Sequence, residues 1–533
     1  MPTPGFSLSL PRIILCTLNA KYIHASLGLR YLLANMGDLR AQTVLREFTI
    51  ARKPHELADE LLAVLGEPQA GAANTDDVQV IGFGVYIWNV TQTCALVRLL
   101  KSQRPGIKIV LGGPEVSHEV EGQDIVQLAD HVITGWGDVS FPKLCRALLH
   151  GPQPLMKIIA GEQPPLDQIK LPYAEYTDAD LAHRMLYVEA SRGCPFKCEF
   201  CLSSLDKTAW AFDLEAFLAE LNTLYQRGAR NFKFVDRTFN LKIDASVRIL
   251  QFFLDRIVAD LFLHFEVIPD HLPDRLKDMI ARFPPGVLQF EVGIQSFNVE
   301  VQHRISRRQD NDRTVANLQW LVQGSNAHLH TDLIFGLPGE TLASFADGFD
   351  RLYSLGPHEI QLGILKRLRG TPIARHTREH GMVYDPLPPY TVLHTGVVTA
   401  LEMQRFTRMA RYWDLVANSG RFRASLRLLV AGGDAASPFH AFLQFSDWLW
   451  QTSGKTSGLT PEALVDSLFD YLTACRNAEA ELVRHVLLAD YQHSGARAKP
   501  QSLRAVLPRR SAVAPEPARP LSPRQHRHIN EPS

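Results

Sequence analysis

The sequence predicts an α/β protein of three parts: a doubly wound parallel sheet, then a partial (β/α)6 barrel, then an α-helical domain. Three observations predict it. Apolar β-like runs alternate with segments of helical apolar spacing over residues 12–134. The alternation resumes over residues 185–365, after a proline-rich stretch, and beyond residue 390 only the helical period remains. Strands alternating with helices join as crossovers in a parallel sheet, whereas helices in succession pack on one another.

Composition agrees with this and narrows the setting. The 533 residues are 46% hydrophobic and 21% charged, ordinary for a globular chain and enough for several domains. The 56 basic and 56 acidic side chains cancel, leaving no bulk field to draw nucleic acid or an anionic membrane. No apolar run reaches the roughly 18 residues a spanning helix needs, and the opening residues lack the basic region and apolar core of a signal peptide. Four of the seven cysteines, Cys16, Cys94, Cys145 and Cys475, are scattered singly, unlike a secreted disulfide framework. A reduced cytoplasmic setting is expected, with neither nucleic acid nor membrane as partner.

In order, residues 12–17 read as a buried strand and 25–36 as a helix. Strand 78–86, helix 91–102 and strands 107–111 and 131–134 follow. Glycine turns at Gly82-Phe83-Gly84, Gly112-Gly113 and Gly135-Trp136-Gly137 fall at the carboxyl ends of these strands, where ligands of doubly wound sheets bind and where bare backbone can approach a large flat group. This part is assigned residues 1–150, with a connection over 151–182. The second series places strands at 185–190, 231–235, 261–268, 287–294, 329–335 and 359–365, with helices at 213–227, 245–258, 274–283, 314–322 and 341–355 between them. Its boundaries are 183–380, with chemistry expected at the carboxyl ends of the strands. Helices at 392–409, 421–430, 438–451 and 461–488 fill a domain over 381–490, where Trp413, Phe442, Phe445, Trp448, Trp450, Phe469 and Tyr471 fit a core. The Pro-, Ala- and Arg-rich tail over 491–533 is expected to be disordered.

One stretch carries the chemistry. Cys194, Cys198 and Cys201 lie within eight positions, directly after an apolar run. Thiolates are the ligands that iron-sulfur clusters take, and three in one loop leave one iron of a cubane open. Zinc prefers four closed ligands in paired spacing, and no partner CxxC or HxxxH follows. Asp236, Glu266, Glu291, Gln295 and Ser296 sit at or near strand ends of the second series, where a buried polar group needs a polar partner. Lys366, Arg367 and Arg369 end the series and either face an anionic substrate or coat the surface.

The cysteine spacing, with Phe200 ahead of the last thiol, resembles the signature of the radical S-adenosylmethionine (SAM) enzymes. The resemblance implies a [4Fe-4S] cluster on Cys194, Cys198 and Cys201, with SAM chelated at the open iron and cleaved to a 5′-deoxyadenosyl radical. Asp236 opens a segment similar to the Asp-x-x-Phe version of the turn that binds the SAM amino group. Glu266, Glu291, Gln295 and Ser296 are the implied partners of its ribose and ammonium. Arg307, or Arg308 after a slip of one residue, matches the arginine that meets the SAM carboxylate. The run from Asp332 to Thr341 resembles the Asp-Leu-Ile-x-Gly-Leu-Pro-Gly-x-Thr segment of coproporphyrinogen oxidases and methylthiotransferases. That resemblance places Gly336 and Pro338 against the adenine; on its own the run is a strand-to-helix turn capped by Thr341.

The first part is similar to the cobalamin-binding domain that precedes many radical SAM cores, which implies cobalamin at Gly112, Gly113, Gly135 and Gly137. Its first loop keeps His24 and Gly28 of the cobalt-ligating Asp-x-His-x-x-Gly motif but neither the aspartate nor the spacing, so cobalamin without a protein histidine is expected. The three parts together resemble an uncharacterised class of cobalamin-dependent radical SAM proteins. That implies methylation of an unactivated carbon in a small-molecule or peptide substrate, with a reductant such as flavodoxin or ferredoxin. The rival readings are a cobalamin-linked oxidation or rearrangement, or a non-enzymatic iron-sulfur or zinc sensor.

Overall fold

The computed structural model describes residues 11–67, 78–206, 208–431, 437–493 and 498–507. The first sheet is built around β1 (Ile13–Asn19), all seven residues of which are buried, as in a strand covered on both faces. Alternate side chains divide between two cores: Ile14, Cys16 and Leu18 enter one, Ile13 and Leu15 the other. The elements that follow are α1 (Leu27–Ala34), β2 (Thr43–Thr49), α2 (Pro54–Leu65), β3 (Val80–Gly84), α3 (Val90–Gln103), β4 (Lys108–Gly112), α4 (Asp124–Leu128), β5 (His131–Thr134), α5 (Ser140–His150) and β6 (Ile158–Ala160). The sheet runs β2-β1-β3-β4-β5-β6, all parallel. This is the doubly wound fold expected, with the reversal of strand order between β1 and β3. Four features escaped the sequence reading: β2, α2, α4 and α5. A fifth, β6, lies within the stretch read as a connection.

A short helix, α6 (Asp178–His183), leads into the second sheet. Its elements are β7 (Leu186–Val188), the β8–β9 hairpin (Ser191–Gly193 and Ala209–Ala211), α7 (Leu214–Gln226), β10 (Asn231–Phe234), α8 (Ile243–Leu254), β11 (Phe262–Val267), α9 (Asp274–Ala281), β12 (Leu288–Gln295), α10 (Val299–Arg304), α11 (Asn311–Gly324), β13 (His328–Phe335), α12 (Leu342–Ser354) and β14 (Glu359–Ile364). Six parallel strands in the order β7-β10-β11-β12-β13-β14 form the partial barrel. At its β7 edge, Met185 makes a parallel bridge with His24 of the first domain, so an otherwise unpaired edge is met by another part of the chain.

The remainder is a two-stranded ribbon, β15 (Val383–Tyr384) and β16 (Val392–His394), and five helices: α13 (Ala400–Val416), α14 (Arg423–Val430), α15 (Pro438–Ser453), α16 (Pro461–Ala474) and α17 (Ala480–His493). Two expectations are corrected. The helix expected at 392–409 begins only at Ala400, because Thr399 and Glu402 form a reciprocal capping box and the residues before it pair as a strand. The helix expected at 461–488 is two, the chain turning at Asn477 with φ +51°, a conformation asparagine tolerates. Phe335 and Phe345 of the barrel pack on Phe406 with ring centroids at 4.2 and 5.0 Å, and Phe349 packs edge-on against Trp413 at 4.9 Å. Barrel and helical domain therefore share one core. The tail read as disordered lies outside the described residues from 508 onward. Its earlier part turns at Gln501–Leu503, where the Ser502 amide donates to Asp466 at 2.8 Å.

Charged side chains bind the first domain to the barrel. Arg30, 2% exposed, reaches Glu47 and Asp180, each at 2.9 Å, and Arg184 reaches Glu47 at 2.7 Å. Breaking one member of such a buried set leaves an uncompensated charge, at a cost of about 3–5 kcal/mol. No helix among the described residues is long and apolar enough to cross a membrane.

Candidate active site

The cysteine loop begins from the β8–β9 hairpin, and Gly193 makes that start possible. Its φ is +92°, and a Cβ there would lie 2.3 Å from the Thr208 carbonyl, so only glycine fits. The loop is fixed in its middle by Glu199, which is 4% exposed. Its carboxylate accepts from Ser306 at 2.6 Å, from Arg375 at 2.7 Å and from His376 at 2.9 Å, and its amide donates to the Ile305 carbonyl at 3.0 Å. The thiols of Cys194, Cys198 and Cys201 line one wall of a cavity of about 270 Å3 at the carboxyl ends of the barrel strands. Burial pushes the Cys194 thiol up to about 11. Burial also raises Cys198, an effect opposed by Arg307, whose Nη1 lies 3.7 Å from the Cys198 sulfur.

The three thiols are not among the groups of described side chains whose ligand atoms gather within 4.8 Å, the reach of a single ion. A multi-iron cluster spreads its thiolates further apart than one ion does, so three thiols in this arrangement fit a cluster.

Arg237, Glu266, Glu291 and Asp332 bring charge to the same cavity. Behind that lining the charges continue in register: Glu266, Glu291, His330 and Glu359 are successive cross-strand partners on β11, β12, β13 and β14. Arg237 donates twice to Glu266, at 3.0 and 3.1 Å. Glu291 accepts from Lys233 at 3.2 Å and pairs with His264 at 3.0 Å. Burial would raise the Glu291 carboxyl, but the His264 and Lys233 contacts hold it well below the usual carboxylate range. His330 lies 3.3 Å from Asp332 and 3.4 Å from Glu359; burial opposes its charge, yet these carboxylates hold the ring up to about 10. At the β12 end the register shifts by one residue, and Gln295 takes φ +71°. Its buried Oε1 has no hydrogen-bond partner within the protein, an exception to the rule that buried polar atoms are paired.

Of the expected residues, Phe200, Glu266, Glu291, Gln295 and Arg307 line this cavity with the cysteines, and Arg308 does as well. Four do not. Asp236 turns inward, accepting from the Ala190 amide at 3.0 Å and the Ser191 hydroxyl at 2.6 Å, and the adjacent Arg237 takes the cavity position. Burial pushes the Asp236 carboxyl up to about 7. Ser296, just past the irregular end of β12, donates instead to Glu340. Gly336 faces the helical domain, where a Cβ would lie 2.5 Å from Val392 and 3.1 Å from Met403, and Pro338 in the same turn is buried. The sequence reading missed Arg237, Lys233, His264, His330 and Glu199. An alternating charged residue in an apolar strand is the signal that marks Lys233, His264 and His330; nothing local marks Glu199.

A second cavity, of about 320 Å3, lies at the carboxyl ends of β3, β4 and β5. Gly112, Gly113, Gly135 and Gly137 all line it, with Gly28, Gly82 and Gly84. Gly113, at φ +105°, brings backbone so close that a Cβ would meet the Val85 carbonyl at 2.5 Å; at Gly135, φ +73°, a Cβ would meet nothing within 4 Å. The result is a bare, mainly apolar cradle with room where side chains are missing, which fits a broad macrocycle. His24 is not part of it: its Nδ1 meets the Tyr187 hydroxyl at 2.7 Å, and burial lowers its pKa.

Arg192 joins the two cavities. Two residues before Cys194, it lines the glycine cradle, pairs with Asp138 at 3.0 Å and Glu189 at 2.8 Å, and lies over Tyr31 and Trp136 at 4.6 and 4.7 Å. The basic run after β14 faces neither substrate nor solvent as a unit. Arg367 donates to Glu119 at 3.0 and 3.1 Å, and Arg369 donates to Glu115 at 2.9 Å, binding barrel to first domain. Lys366 is exposed.

Comparison with known proteins agrees with this division. Residues 14–145 match the B12 binding domain, 188–352 the radical SAM superfamily, and 378–514 a family described as a protein of unknown function. The chain is 25% identical over 326 residues to a 2-(S-pantetheinyl)-carbapenam-3-carboxylate methyltransferase of Streptantibioticus cattleyicolor, covering 55% of this chain and 47% of the relative. It is 25% identical over 344 residues to the cobalamin-dependent radical SAM methyltransferase TokK of Streptomyces tokunonensis, covering 57% and 49%. The chain thus spans about half the length of these curated relatives. In fold it resembles OxsB, a cobalamin-dependent SAM radical enzyme solved with aqua-cobalamin and SAM, at TM-score 0.58 and 13% identity over 91% of this chain and 79% of that one. It also resembles the radical SAM methyltransferase TsrM of Kitasatospora setae, solved with cobalamin and a [4Fe-4S] cluster, at TM-score 0.54 and 16% identity over 74% and 83%.

Proposed function

We propose that the chain, in which a B12 binding domain match is followed by a radical SAM match, is a cobalamin-dependent radical SAM enzyme that cleaves SAM reductively and methylates an unactivated carbon of a small-molecule or peptide substrate. The observation that carries this reading is the shared β8–β9 hairpin. One side of it supplies Arg192 to the glycine cradle, and the other leads into the three-cysteine wall of the barrel cavity. When bound, the cluster supplies an electron, SAM the radical and the methyl group, and cobalamin a methyl carrier.

The residues of the chain bind and orient. Cys194, Cys198 and Cys201 would hold the cluster, and Arg307, whose Nη1 lies near the Cys198 sulfur, would meet the carboxylate of SAM. Gln295, which lines the cavity, would turn its unpaired amide oxygen to a hydroxyl or ammonium. Glu291, held ionised by Lys233 and His264, offers negative charge to a cationic ligand. Phe200 and the apolar stems of the strand ends keep water from the reacting atoms. Gly112, Gly113, Gly135 and Gly137 would seat the corrin, with no protein imidazole in the cradle lining.

Reconstituted protein incubated without oxygen with SAM and a low-potential reductant should release 5′-deoxyadenosine, and with cobalamin present S-adenosylhomocysteine as well. Release of the first alone would favour a cobalamin-linked oxidation or rearrangement over methyl transfer. Release of neither would overturn the reading.

A further inference from the structure

A second set of metal-ligating side chains lies in the segment that holds the cluster loop. His376, Glu379 and His380 each bring one ligand atom, a ring nitrogen or a carboxylate oxygen, to within 4.8 Å of the others. The expectation that no HxxxH pair follows the cysteines is thereby corrected, since His376 and His380 are one. The backbone puts the pair on one face: the His380 amide donates to the His376 carbonyl at 3.0 Å, closing an α-turn. Glu379 is exposed and His380 half-buried, so an ion can enter from solvent, whereas His376 is 6% exposed.

A second observation points to a metal. The Nε2 of His376 lies 2.9 Å from the Glu199 carboxylate, which accepts its proton and leaves the lone pair of the ring on Nδ1. Histidine ligands of metals are oriented in this way, one ring nitrogen on the ion and the other donating to a carboxylate that fixes the ring and raises its basicity. Glu199 has Arg375 as its counter-charge, at 2.7 Å, so the imidazole can serve it as a neutral donor. Two cations flank the site, and both are engaged: Arg375 by Glu199, and Arg304 by Glu300 at 2.9 Å.

We propose that His376, Glu379 and His380 bind one zinc ion, with a water as the fourth ligand. Two imidazoles and a carboxylate suit zinc, whereas magnesium takes oxygen ligands and keeps several of its waters. The site is separate from the cluster, whose thiols are not in this group. Its role is to brace. The Ile373 amide donates to the Glu199 carbonyl at 3.0 Å, and the Gly396 amide, just past β16, donates to the His380 carbonyl at 2.7 Å. An ion on His376 and His380 therefore fixes the segment that runs from the loop between Cys198 and Cys201 to the β15–β16 ribbon. The inference rests on this group alone and stands whether or not SAM is cleaved.

Anaerobic equilibrium dialysis of the cluster-loaded full chain against zinc, followed by metal analysis, tests it. One zinc ion per chain should be retained at micromolar free zinc with the visible absorbance of the cluster unchanged, and zinc but not magnesium should raise the melting temperature. His380→Ala should weaken zinc binding more than about 100-fold, beyond the 10- to 100-fold typical of a lost outer-shell partner, and Glu379→Gln about 10-fold or more. Glu379 is exposed, so without zinc the Glu379→Gln chain should melt as the wild type does, and its lost affinity then reports the ion and not the fold. No zinc retained, zinc retained only as cluster absorbance is lost, equal stabilisation by magnesium, or a Glu379→Gln affinity like that of the wild type would overturn the proposal.

Discussion

The two cavities beside the β8–β9 hairpin are made in opposite ways. The cradle of the first domain is built from missing side chains, with Gly84, Gly112, Gly135 and Gly137 exposing backbone and its charged groups engaged around Arg192. The barrel cavity is built from side chains, with thiols on one wall and paired charges on the other. The difference matches the ligands each would take. A broad macrocycle is held by shape over a large area, whereas SAM offers a few charged groups that need matching donors and acceptors. Adding a side chain should therefore damage the first cavity, and removing one should damage the second.

The largest effect is expected from Cys198→Ala. Loss of one of three thiolates should lower 5′-deoxyadenosine release more than about 100-fold, beyond the 10- to 100-fold typical of a lost outer-shell partner. Cobalamin binding, followed by its visible spectrum, should persist. Loss of both would show that the cradle depends on the cluster. Glu199→Gln comes next. It keeps the shape but removes the charge that Arg375 and His376 engage, and about a 10- to 100-fold loss of cluster retention is expected by iron assay.

Glu199 also shows how far the sequence could be read. The thiols, Phe200, Glu266, Glu291, Gln295 and Arg307 were legible because each belongs to a local pattern: fixed spacing, or a polar residue at the end of an apolar strand. Glu199 has partners 107 to 177 residues away in the chain, and no local pattern encodes such a contact. The same holds for β2. Its Arg46 and Glu47 interrupt an apolar run, and they are tolerated because Glu47 meets Arg30 and Arg184 from outside the strand. Ser296, Gly336 and Pro338 lie outside the cavity lining for a different reason. Their motif marks a turn, but the irregular end of β12 and the packing of the helical domain decide which way the turn faces.

Gly135→Leu tests the cradle by addition. A side chain there has no neighbour within 4 Å and enters the cavity. Cobalamin affinity should fall about 10-fold or more, as for overpacking by about 1–3 kcal/mol, with cluster content unchanged. Gly135→Asn is the control for backbone strain, since asparagine tolerates φ +73° and is shorter. Equal losses in both variants would mean that the turn, and not the open space, is what the cradle needs.

The smallest effect concerns Asp236, the carboxylate of the second region that faces away from its cavity. Burial raises its pKa from 3.8 to about 7. A raised folded-state value favours the folded protein fully below pH 3.8 and loses that contribution as pH rises through 7. Below 7 the carboxyl is neutral, and its proton can be shared with the Ser191 hydroxyl 2.6 Å away. Asp236→Asn keeps the shape and removes the titration. Between pH 6 and pH 8 the wild type should therefore lose about 1.4 kcal/mol of stability relative to the variant, the equivalent of one pKa unit, measured by urea unfolding at the two pH values. A constant difference would mean that the carboxylate stays ionised in the fold. Asp236 would then be available as a charged neighbour of the cluster loop, and the division between inward and cavity-facing carboxylates in the barrel would have to be redrawn.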